Sequence, residues 1–253
     1  MRVIVTRPAA QAADWVIDLR ARGVDAVALP LIDIVPVADP SPIVEAWHAL
    51  AAYRLAMFVS PNAAQLFFAS RPAHASWPAQ VLAGSPGPGT TRALLALGVP
   101  RAQIVEPAPD AAQFDSESLW QQLRAREWRS AKVLIVRGDG GRDWLSQTLR
   151  EQGAEVTHLS AYRRAPPRFG AAEQVLLDKA IAESESHVWF FSSSEAIDHL
   201  AGLAPAATDW GHARALGTHP RIVARARQLG FASVGASRPS VDAVVACIQS
   251  IRP

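Results

Sequence analysis

The sequence has few of the residues and motifs that mark common metal and cofactor sites. Its single cysteine, Cys247, excludes an internal disulfide and provides no CxxC pair for structural zinc. The seven histidines form neither an HExxH motif nor a cluster, which argues against a catalytic metal. No Gly-Lys-Ser/Thr sequence and no G-x-S-x-G turn occurs, so we expect neither a P-loop nucleotide site nor a serine-hydrolase elbow.

Charged residues and long apolar runs are also few. Charged side chains make up 19% of the sequence, the formal net charge is +2, and the 25 lysines and arginines are scattered. Nucleic acid requires a concentrated basic face, so we do not expect it as a partner. No apolar run approaches the length of a membrane span, and the chain begins with an apolar strand instead of a signal peptide. These features predict a cytoplasmic protein with no membrane partner, and the hydrophobic content of 49% is sufficient for full cores.

The most informative stretch runs from Val133 to Pro167. The apolar residues 133–136 predict a buried strand, and a turn rich in glycine follows at 137–142. Apolar residues at helical spacing come next and end at Gly153, before a second predicted strand at 155–162. The stretch is therefore predicted to be a β-turn-α-β unit whose polar turn is open to a ligand.

This pattern is repeated. The N-terminal residues match it with an offset of about 130 residues, so that Trp15 pairs with Trp144 and Gly23 with Gly153. Two further pairs of segments are FVSPNA at 58–63 with FFSSSE at 190–195, and GPGTTRALLALG at 87–98 with HPRIVARARQLG at 219–230. The repeat predicts a duplicated α/β unit with two domains of roughly 120 residues each.

The predicted strands are typical of parallel sheets. Each leads into a polar turn and then a helix, and the second strand, predicted at 26–34, is almost continuously apolar, as burial on both faces requires. Proline-rich segments at 36–42 and 165–168 predict two stiff, extended crossings between the domains. Ligands of open α/β sheets bind outside the carboxyl ends of the strands, so we expect the site at the polar turns.

The polar turns do not match a dinucleotide fingerprint. The RGDGG sequence at 137–141 lacks the third glycine, and no acidic residue ends the following strand. Ser192, Ser193 and Ser194 have two interpretations, as caps of a helix or as donors to a bound anion. Tyr162, taken alone, is interpreted as a partly buried strand tyrosine. Helix N-termini after several of these turns favour a small ligand that carries many carboxylates or phosphates.

Eight short motifs, in order along essentially the whole chain, resemble the uroporphyrinogen-III synthase family. They are VTRP near the start, SPNA at 60–63, GPGT at 87–90, FDSESL at 114–119, VRGDGGR at 136–142, LSAYRR at 159–164, FFSSSEA at 190–196 and THPRI at 218–222. VRGDGGR followed by YRR at this distance is specific, whereas serine-containing turns are common.

The resemblance implies two similar α/β domains with parallel sheets flanked by helices, joined by a two-stranded linker, with a cleft between them. In the family, the first βαβ segment completes the domain formed by the C-terminal third. We therefore expect one discontinuous domain at 1–37 plus 168–253 and the other at 38–167, which agrees with the two proline-rich crossings.

The resemblance also implies a cofactor-free lyase that cyclises hydroxymethylbilane to uroporphyrinogen III, with inversion of ring D and loss of water, in the tetrapyrrole pathway to haem. Loss of the ring A hydroxyl gives a resonance-stabilised cation. Catalysis is then mainly a matter of holding the flexible substrate where the substituted carbon of ring D attacks to form a spiro intermediate.

By resemblance, Tyr162 is expected to assist departure of the hydroxyl. The residues expected to hold the acetate and propionate groups of the substrate are Arg7, Ser60, Asn62, Thr90, Arg137, Gly138, Ser192, Ser194, Thr218 and His219. No metal is expected. The expected partners are the substrate and, transiently, the upstream deaminase, and the chain itself is expected to be a monomer.

One position departs from the family pattern. Many relatives have a threonine at or next to Ile222, and Thr218 or His219 is the candidate to replace it. This departure supports an alternative, a catalytically inactive carboxylate- or tetrapyrrole-binding relative of the same fold. A second alternative is a carboxylate-binding module with the cleft of a periplasmic receptor, against which the missing signal peptide argues.

Overall fold

A computed structural model describes residues 1–251 of the chain. The described residues form the strands β1 (Arg2–Val5), β2 (Ala26–Ala28), β3 (Asp33–Pro36), β4 (Leu55–Phe58), β5 (Leu82–Gly84), β6 (Ile104–Val105), β7 (Lys132–Gly138), β8 (Glu155–Ala165), β9 (His187–Phe191), β10 (Arg214–Gly217) and β11 (Ser233–Ala236). The helices are α1 (Ala9–Ala21), α2 (Ser41–His48), α3 (Pro61–Ala69), α4 (Pro88–Ala96), α5 (Ser116–Leu123), α6 (Trp144–Glu151), α7 (Ala171–Ala182), α8 (Ser194–Leu203), α9 (Pro220–Leu229) and α10 (Val241–Ile251). Among these helices, none has the length and apolar character needed to cross a bilayer.

The chain divides into two compact units, of which the first is discontinuous. Unit 1 combines residues 1–33 with the segment that begins at Ala165, and unit 2 consists of residues 34–164. Both boundaries lie a few residues earlier than the predicted ones. The reason is that the crossing segments are themselves strands: β3 is hydrogen-bonded to β8, at the edge of the sheet of unit 2.

The two sheets have the same strand order. Unit 1 has the order β2-β1-β9-β10-β11, and unit 2 has β8-β7-β4-β5-β6 with β3 added beside β8. Neighbouring strands in both five-strand series are parallel. The predicted fold class of duplicated parallel α/β domains is therefore confirmed.

Each sheet is covered by apolar side chains that alternate along its strands. In unit 2, Phe58 and Val136 pack on one face with Phe67, while Met57 and Ile135 pack on the other face. Successive residues of a strand point to opposite faces, so a near-continuous apolar run supplies both cores.

The predicted second strand, at 26–34, is wrong as a single element. It is divided into β2 and β3 by a buried connection at 29–32. β2 pairs with β1 in the sheet of unit 1, whereas β3 pairs with β8 in the sheet of unit 2, so the chain passes from one sheet to the other within this apolar run. The connection at 29–32 still bonds to the end of β1 and the residue after it: Leu29 N donates to Val5 O at 3.0 Å and Leu31 N to Thr6 O at 3.2 Å.

Candidate active site

Each sheet has one point at which the strand order reverses. The predicted site residues lie at the edge of the sheet formed by the carboxyl ends of the strands. The reversal falls between β1 and β9 in unit 1 and between β7 and β4 in unit 2. Ligands of open α/β sheets bind at the carboxyl ends of such strands, here called the carboxyl edge. At the carboxyl edge of unit 1 are Arg7, Ser192, Ser194, Thr218 and His219, and at that of unit 2 are Ser60, Asn62, Thr90, Arg137, Gly138 and Tyr162.

Tyr162, Ser60 and Gly138 form one contact group at the carboxyl edge of unit 2. The Tyr162 hydroxyl lies 3.0 Å from Ser60 Oγ. The pairing of β7 with β8 slips by one residue after Arg137, which places Gly138 opposite Tyr162. A Cβ on Gly138 would lie 2.9 Å from Cε2 of the tyrosine ring, so the absence of a side chain is what permits this approach.

Burial separates the two hydroxyls of this group. Tyr162 is fully buried and belongs to the core of unit 2, deeper than the partly buried position predicted from the sequence. Ser60 is half-buried and caps α3, because its Oγ accepts a hydrogen bond from Ala63 N at 3.1 Å. Ser60 is thus the member of the pair that lies nearer to solvent.

Arg137 fixes the shape of the glycine-rich turn, defined here as residues 138–143. Its side chain is nearly buried, its Nε donates to Gly140 O at 3.3 Å and its Nη1 donates to the Asp143 carboxylate. A Cβ on Gly141 would lie 3.1 Å from Nη2, so the backbone of the turn lies directly against the guanidinium. These contacts commit the charge of Arg137 to the turn, and its predicted contact with substrate stays a prediction.

The side chain of Thr90 lies in the first turn of α4 without a hydrogen-bond partner among the described residues. Thr90 is 3% exposed, and its backbone N donates to Gly87 O at 3.1 Å. The adjacent hydroxyl is differently placed: Thr91 Oγ1 lies 2.6 Å from Glu106 Oε2 and 2.9 Å from Ser85 Oγ. Thr91 therefore holds the turn in position, while the Thr90 hydroxyl is available to a ligand.

Three serine hydroxyls in unit 1 are also available. Ser192, Ser193 and Ser194 are half-buried, and within residues 1–251 none of their side chains makes a hydrogen bond. Ser193 is the N-cap residue of α8, but its side chain does not cap the helix. Of the two interpretations of this turn, side-chain capping is not observed, and contact with an anion remains open to all three.

Ser193, which the sequence predicts only as a cap or anion donor of the serine turn and not among the substrate-binding residues, is the structural equivalent of Ser60. The sequence repeat pairs Ser60 with Ser192, but the helix starts show that Ser60 and Ser193 are the equivalent N-cap residues. The alignment is therefore one residue out in this segment. The correct alignment could be found only from the position at which each helix begins. The repeat of apolar residues alone does not define that position.

Arg7 is held at the end of β1 by aromatic rings. Its guanidinium carbon lies 4.7 Å from the ring centre of Trp15 and 5.8 Å from that of Phe190, and its Nη1 donates to Gln11 Oε1 at 3.3 Å. Stacking of this kind fixes a positive charge in one place. The neighbouring Thr6 Oγ1 donates to Phe190 O at 2.8 Å, which joins the ends of β1 and β9.

Ile222 occupies in unit 1 the position that Thr90 occupies in unit 2. The N-cap residues Gly87 and His219 are each followed by proline, and the two positions lie three residues after the caps. Ile222 is buried, and its Cγ2 would lie 3.2 Å from a Cβ on Gly217. The departure from the family pattern thus replaces a hydroxyl with an apolar side chain that packs inside the unit.

The two candidate replacements differ in their contacts. His219 Nδ1 accepts a hydrogen bond from Arg221 N at 3.2 Å and so caps α9. Thr218 is half-buried, its backbone N donates to Phe191 O at 3.2 Å, and its hydroxyl has no partner among residues 1–251.

Two titratable groups beside the glycine-rich turn have shifted pKa values. The hydrogen bond from Arg137, together with its positive charge, lowers the pKa of Asp143. Partial burial, with the charges of Arg137 and Arg150, lowers the pKa of His158, whose Nε2 lies 2.6 Å from Ser146 Oγ. Near neutral pH, Asp143 is therefore ionised and His158 uncharged.

Comparison with known proteins identifies the family. The family model described as uroporphyrinogen-III synthase HemD matches residues 13–246. The chain belongs to the uroporphyrinogen-III synthase family. The uroporphyrinogen-III synthase of Escherichia coli K12 is 29% identical to this synthase-family chain over 259 residues, covering 98% of the chain and 100% of the relative. That of Salmonella typhimurium LT2 is 27% identical over 257 residues, again covering 98% and 100%.

Solved structures of synthases share the fold. A mutant uroporphyrinogen III synthase from the extremely thermophilic bacterium Thermus thermophilus has a TM-score of 0.60 at 16% identity and covers 99% of this chain and 98% of its own. The uroporphyrinogen-III synthetase of Helicobacter pylori 26695 has a TM-score of 0.59 at 14% identity, with both chains fully covered. At these identities the likeness supports the α/β fold, while family membership identifies the chain as an enzyme of tetrapyrrole biosynthesis, a cyclising hydro-lyase.

Proposed function

We propose that this chain cyclises hydroxymethylbilane to uroporphyrinogen III, with inversion of ring D and loss of water, and that it needs no cofactor to do so. The observation that carries the proposal is the set of hydroxyls at the two carboxyl edges that lack partners among the described residues. Ser192, Ser194, Thr218 and Thr90 belong to it. Such groups suit a substrate whose acetate and propionate groups require several hydrogen-bond donors.

Helix N-termini add to the attraction for carboxylates. Helices α3, α4, α8 and α9 all begin at the carboxyl edges, directly after these turns. The N-terminus of a helix carries a partial positive charge, which stabilises a nearby anion by about 0.3–1 kcal/mol. Arg7 supplies a full positive charge in unit 1, and Asn62 lies in the first turn of α3. We assign the acidic groups of the substrate to these positions, with Thr218 as the stronger replacement for the family's threonine.

Positioning accounts for most of the catalysis in this proposal. Once the ring A hydroxyl has left, the cation is stabilised by the pyrrole, and the outcome depends on which ring D carbon reaches it. Holding reacting atoms in place can supply about 7–11 kcal/mol without a nucleophile. We assign departure of the hydroxyl to Tyr162 and its partner Ser60. The buried hydroxyl of Tyr162 is hydrogen-bonded to the half-buried hydroxyl of Ser60 at the carboxyl edge of unit 2.

The test is the isomer composition of the product. Porphobilinogen is supplied with the upstream deaminase, the chain is added, and types I and III are separated after oxidation. Spontaneous closure gives type I, so enrichment of type III is the expected result. A type I product at the level of the enzyme-free control would favour the catalytically inactive relative. The cytoplasmic location, the monomeric state and the transient contact with the deaminase stay predictions, the last two measurable by size-exclusion chromatography with and without the deaminase.

A further inference from the structure

The direction of the hydrogen bond between Tyr162 and Ser60 follows from burial. Among the described residues, Ser60 Oγ is the only hydrogen-bond partner of the Tyr162 hydroxyl, at 3.0 Å. Tyr162 is 0% exposed, so its hydroxyl proton has no solvent to bond to. A buried donor without an acceptor is strongly disfavoured. The Tyr162 hydroxyl therefore donates and Ser60 Oγ accepts.

The same reasoning fixes the proton of Ser60. A serine hydroxyl has one proton and two acceptor positions. Ser60 Oγ accepts from Ala63 N at 3.1 Å as well as from Tyr162, so both acceptor positions are occupied. Its proton has no acceptor among residues 1–251, and Ser60 is half-buried at the carboxyl edge. Within residues 1–251, the Ser60 proton thus remains available to a group that binds at the carboxyl edge.

We propose that Ser60 is the group that protonates the departing hydroxyl of ring A and that Tyr162 acts through it. The inference rests on the proposed function. As the carbon–oxygen bond breaks, its electron pair leaves with the oxygen, which takes the Ser60 proton and departs as water. Ser60 Oγ takes the Tyr162 proton at the same time, which leaves a phenolate. When the macrocycle closes, ring D loses one proton, which returns to the phenolate through Ser60, so the enzyme ends unchanged.

The test uses four variants of the full chain: Ser60→Thr, Ser60→Asn, Tyr162→Phe and the double variant Ser60→Asn with Tyr162→Phe. Threonine keeps the hydroxyl and the cap. Asparagine keeps a cap acceptor for α3 but has no proton that it can transfer. Type III formation is measured over a range of porphobilinogen-derived substrate concentrations to separate kcat from KM. Thermal unfolding of each variant reports whether the cap and the core are intact.

The expected result is a shared defect. Ser60→Asn and Tyr162→Phe should each lower kcat by about 100-fold, as loss of a proton donor typically does, with KM within about twofold of wild type. The double variant should be no slower than the slower single variant, because both changes break one path. Ser60→Thr should keep kcat within about threefold of wild type.

Two results would overturn the inference. If Tyr162→Phe lowers kcat by the same factor in the Ser60→Asn background as in wild type, the hydroxyls act independently. If Ser60→Asn keeps the wild-type kcat while Tyr162→Phe is slow, Tyr162 acts directly on the substrate. A wild-type chain that leaves the isomer ratio at its enzyme-free value would overturn the proposed function itself, which distinguishes the two failures.

Discussion

Gly138 lies against the ring of Tyr162, and a methyl group there would have to displace one of them. Its Cβ would meet ring carbons at 2.9, 3.1 and 3.3 Å. We expect Gly138→Ala to lower the free energy of unfolding by about 1–3 kcal/mol, the usual cost of overpacking a core. Because the ring carries the hydroxyl that contacts Ser60, type III formation should fall as well. Urea unfolding and the isomer assay measure the two effects.

Gly140, two residues further along the same turn, is the matched control. A Cβ there would have no atom within 4 Å, and the residue is exposed. Gly140→Ala should therefore change the unfolding free energy by no more than about 0.5 kcal/mol. Equal losses in the two variants would contradict the steric explanation and would indicate that the turn needs glycine for its backbone freedom.

His158 predicts a pH dependence of stability. Partial burial and the charges of Arg137 and Arg150 hold its folded-state pKa below the ordinary value of 6.5. The unfolded chain therefore binds a proton more readily than the folded chain. The contribution of His158 to stability is full above about pH 6.5 and is lost as the pH falls through the folded-state pKa.

His158→Gln should consequently flatten the fall of the unfolding free energy between about pH 7 and pH 5. Urea unfolding at several pH values, in wild type and variant, measures this slope. His74→Gln changes an exposed histidine between α3 and β5 and serves as the control. Identical slopes in wild type and His158→Gln would show that His158 does not couple protonation to folding.

The glycine-rich turn contains an ion pair with one nearly buried member. The Arg137 side chain is 11% exposed and pairs with Asp143. Asp143→Asn should loosen the turn, because a nearly buried guanidinium loses its charged partner. We expect KM to rise about fivefold with kcat within about twofold of wild type, since positioning of substrate is affected more than proton transfer.

The second ion pair of this turn provides the comparison. Arg142 pairs with Glu117 of α5, and the two side chains are 38% and 41% exposed. Exposed pairs contribute little, typically about 0–1 kcal/mol. Glu117→Gln should leave KM within about twofold of wild type under the same assay. A larger effect from Glu117→Gln than from Asp143→Asn would mean that the turn is anchored to α5 and not to Arg137.

Sequence patterns predicted most elements because apolar periodicity reports burial directly. Strand β7, helix α6 and strand β8 lie where the apolar pattern between Val133 and Pro167 predicts them. The strand predicted at 26–34 is wrong as one element because the apolar run continues while the chain passes from the sheet of unit 1 to that of unit 2.

The candidate site was less predictable, because its contacts join elements that are distant in sequence. Ser60 and Tyr162 are 102 residues apart, and their approach depends on the slip in register after Arg137. No local pattern encodes such a slip. The family motifs point to both residues, but only the structure shows that Tyr162 is buried and that Ser60 is half-buried.

For the whole molecule, the informative feature is that the same sheet is assembled in two different chain orders. In unit 2 the βαβ segment β7-α6-β8 comes last, whereas in unit 1 its equivalent, β1-α1-β2, comes first. The core of unit 1 is accordingly shared: Val3, Val5 and Trp15 pack with Phe190 and Val244. Both core clusters of unit 2 lie within residues 43–162, in one continuous segment.

This difference predicts unequal folding of the two units when they are expressed separately. Residues 34–164 retain all six strands of their sheet and both cores, so they should unfold in a single cooperative urea transition followed by tryptophan fluorescence. The fragment that starts at Ala165 lacks β1 and β2, which exposes the edge of β9 with Val188 and Phe190. An apolar strand without its neighbours does not form a stable sheet, so this fragment should show no such transition.

Complementation decides whether the missing strands are the cause. Adding a peptide of residues 1–33 to the C-terminal fragment restores the register in which Val3 pairs with Val188 and Val5 with Phe190, and should restore cooperative unfolding. The same peptide with Val3→Asp and Val5→Asp is the control, because charges in the buried core of unit 1 prevent association. Cooperative folding of the C-terminal fragment alone would contradict the shared core, since β9, β10 and β11 would then suffice for a stable unit without the N-terminal segment.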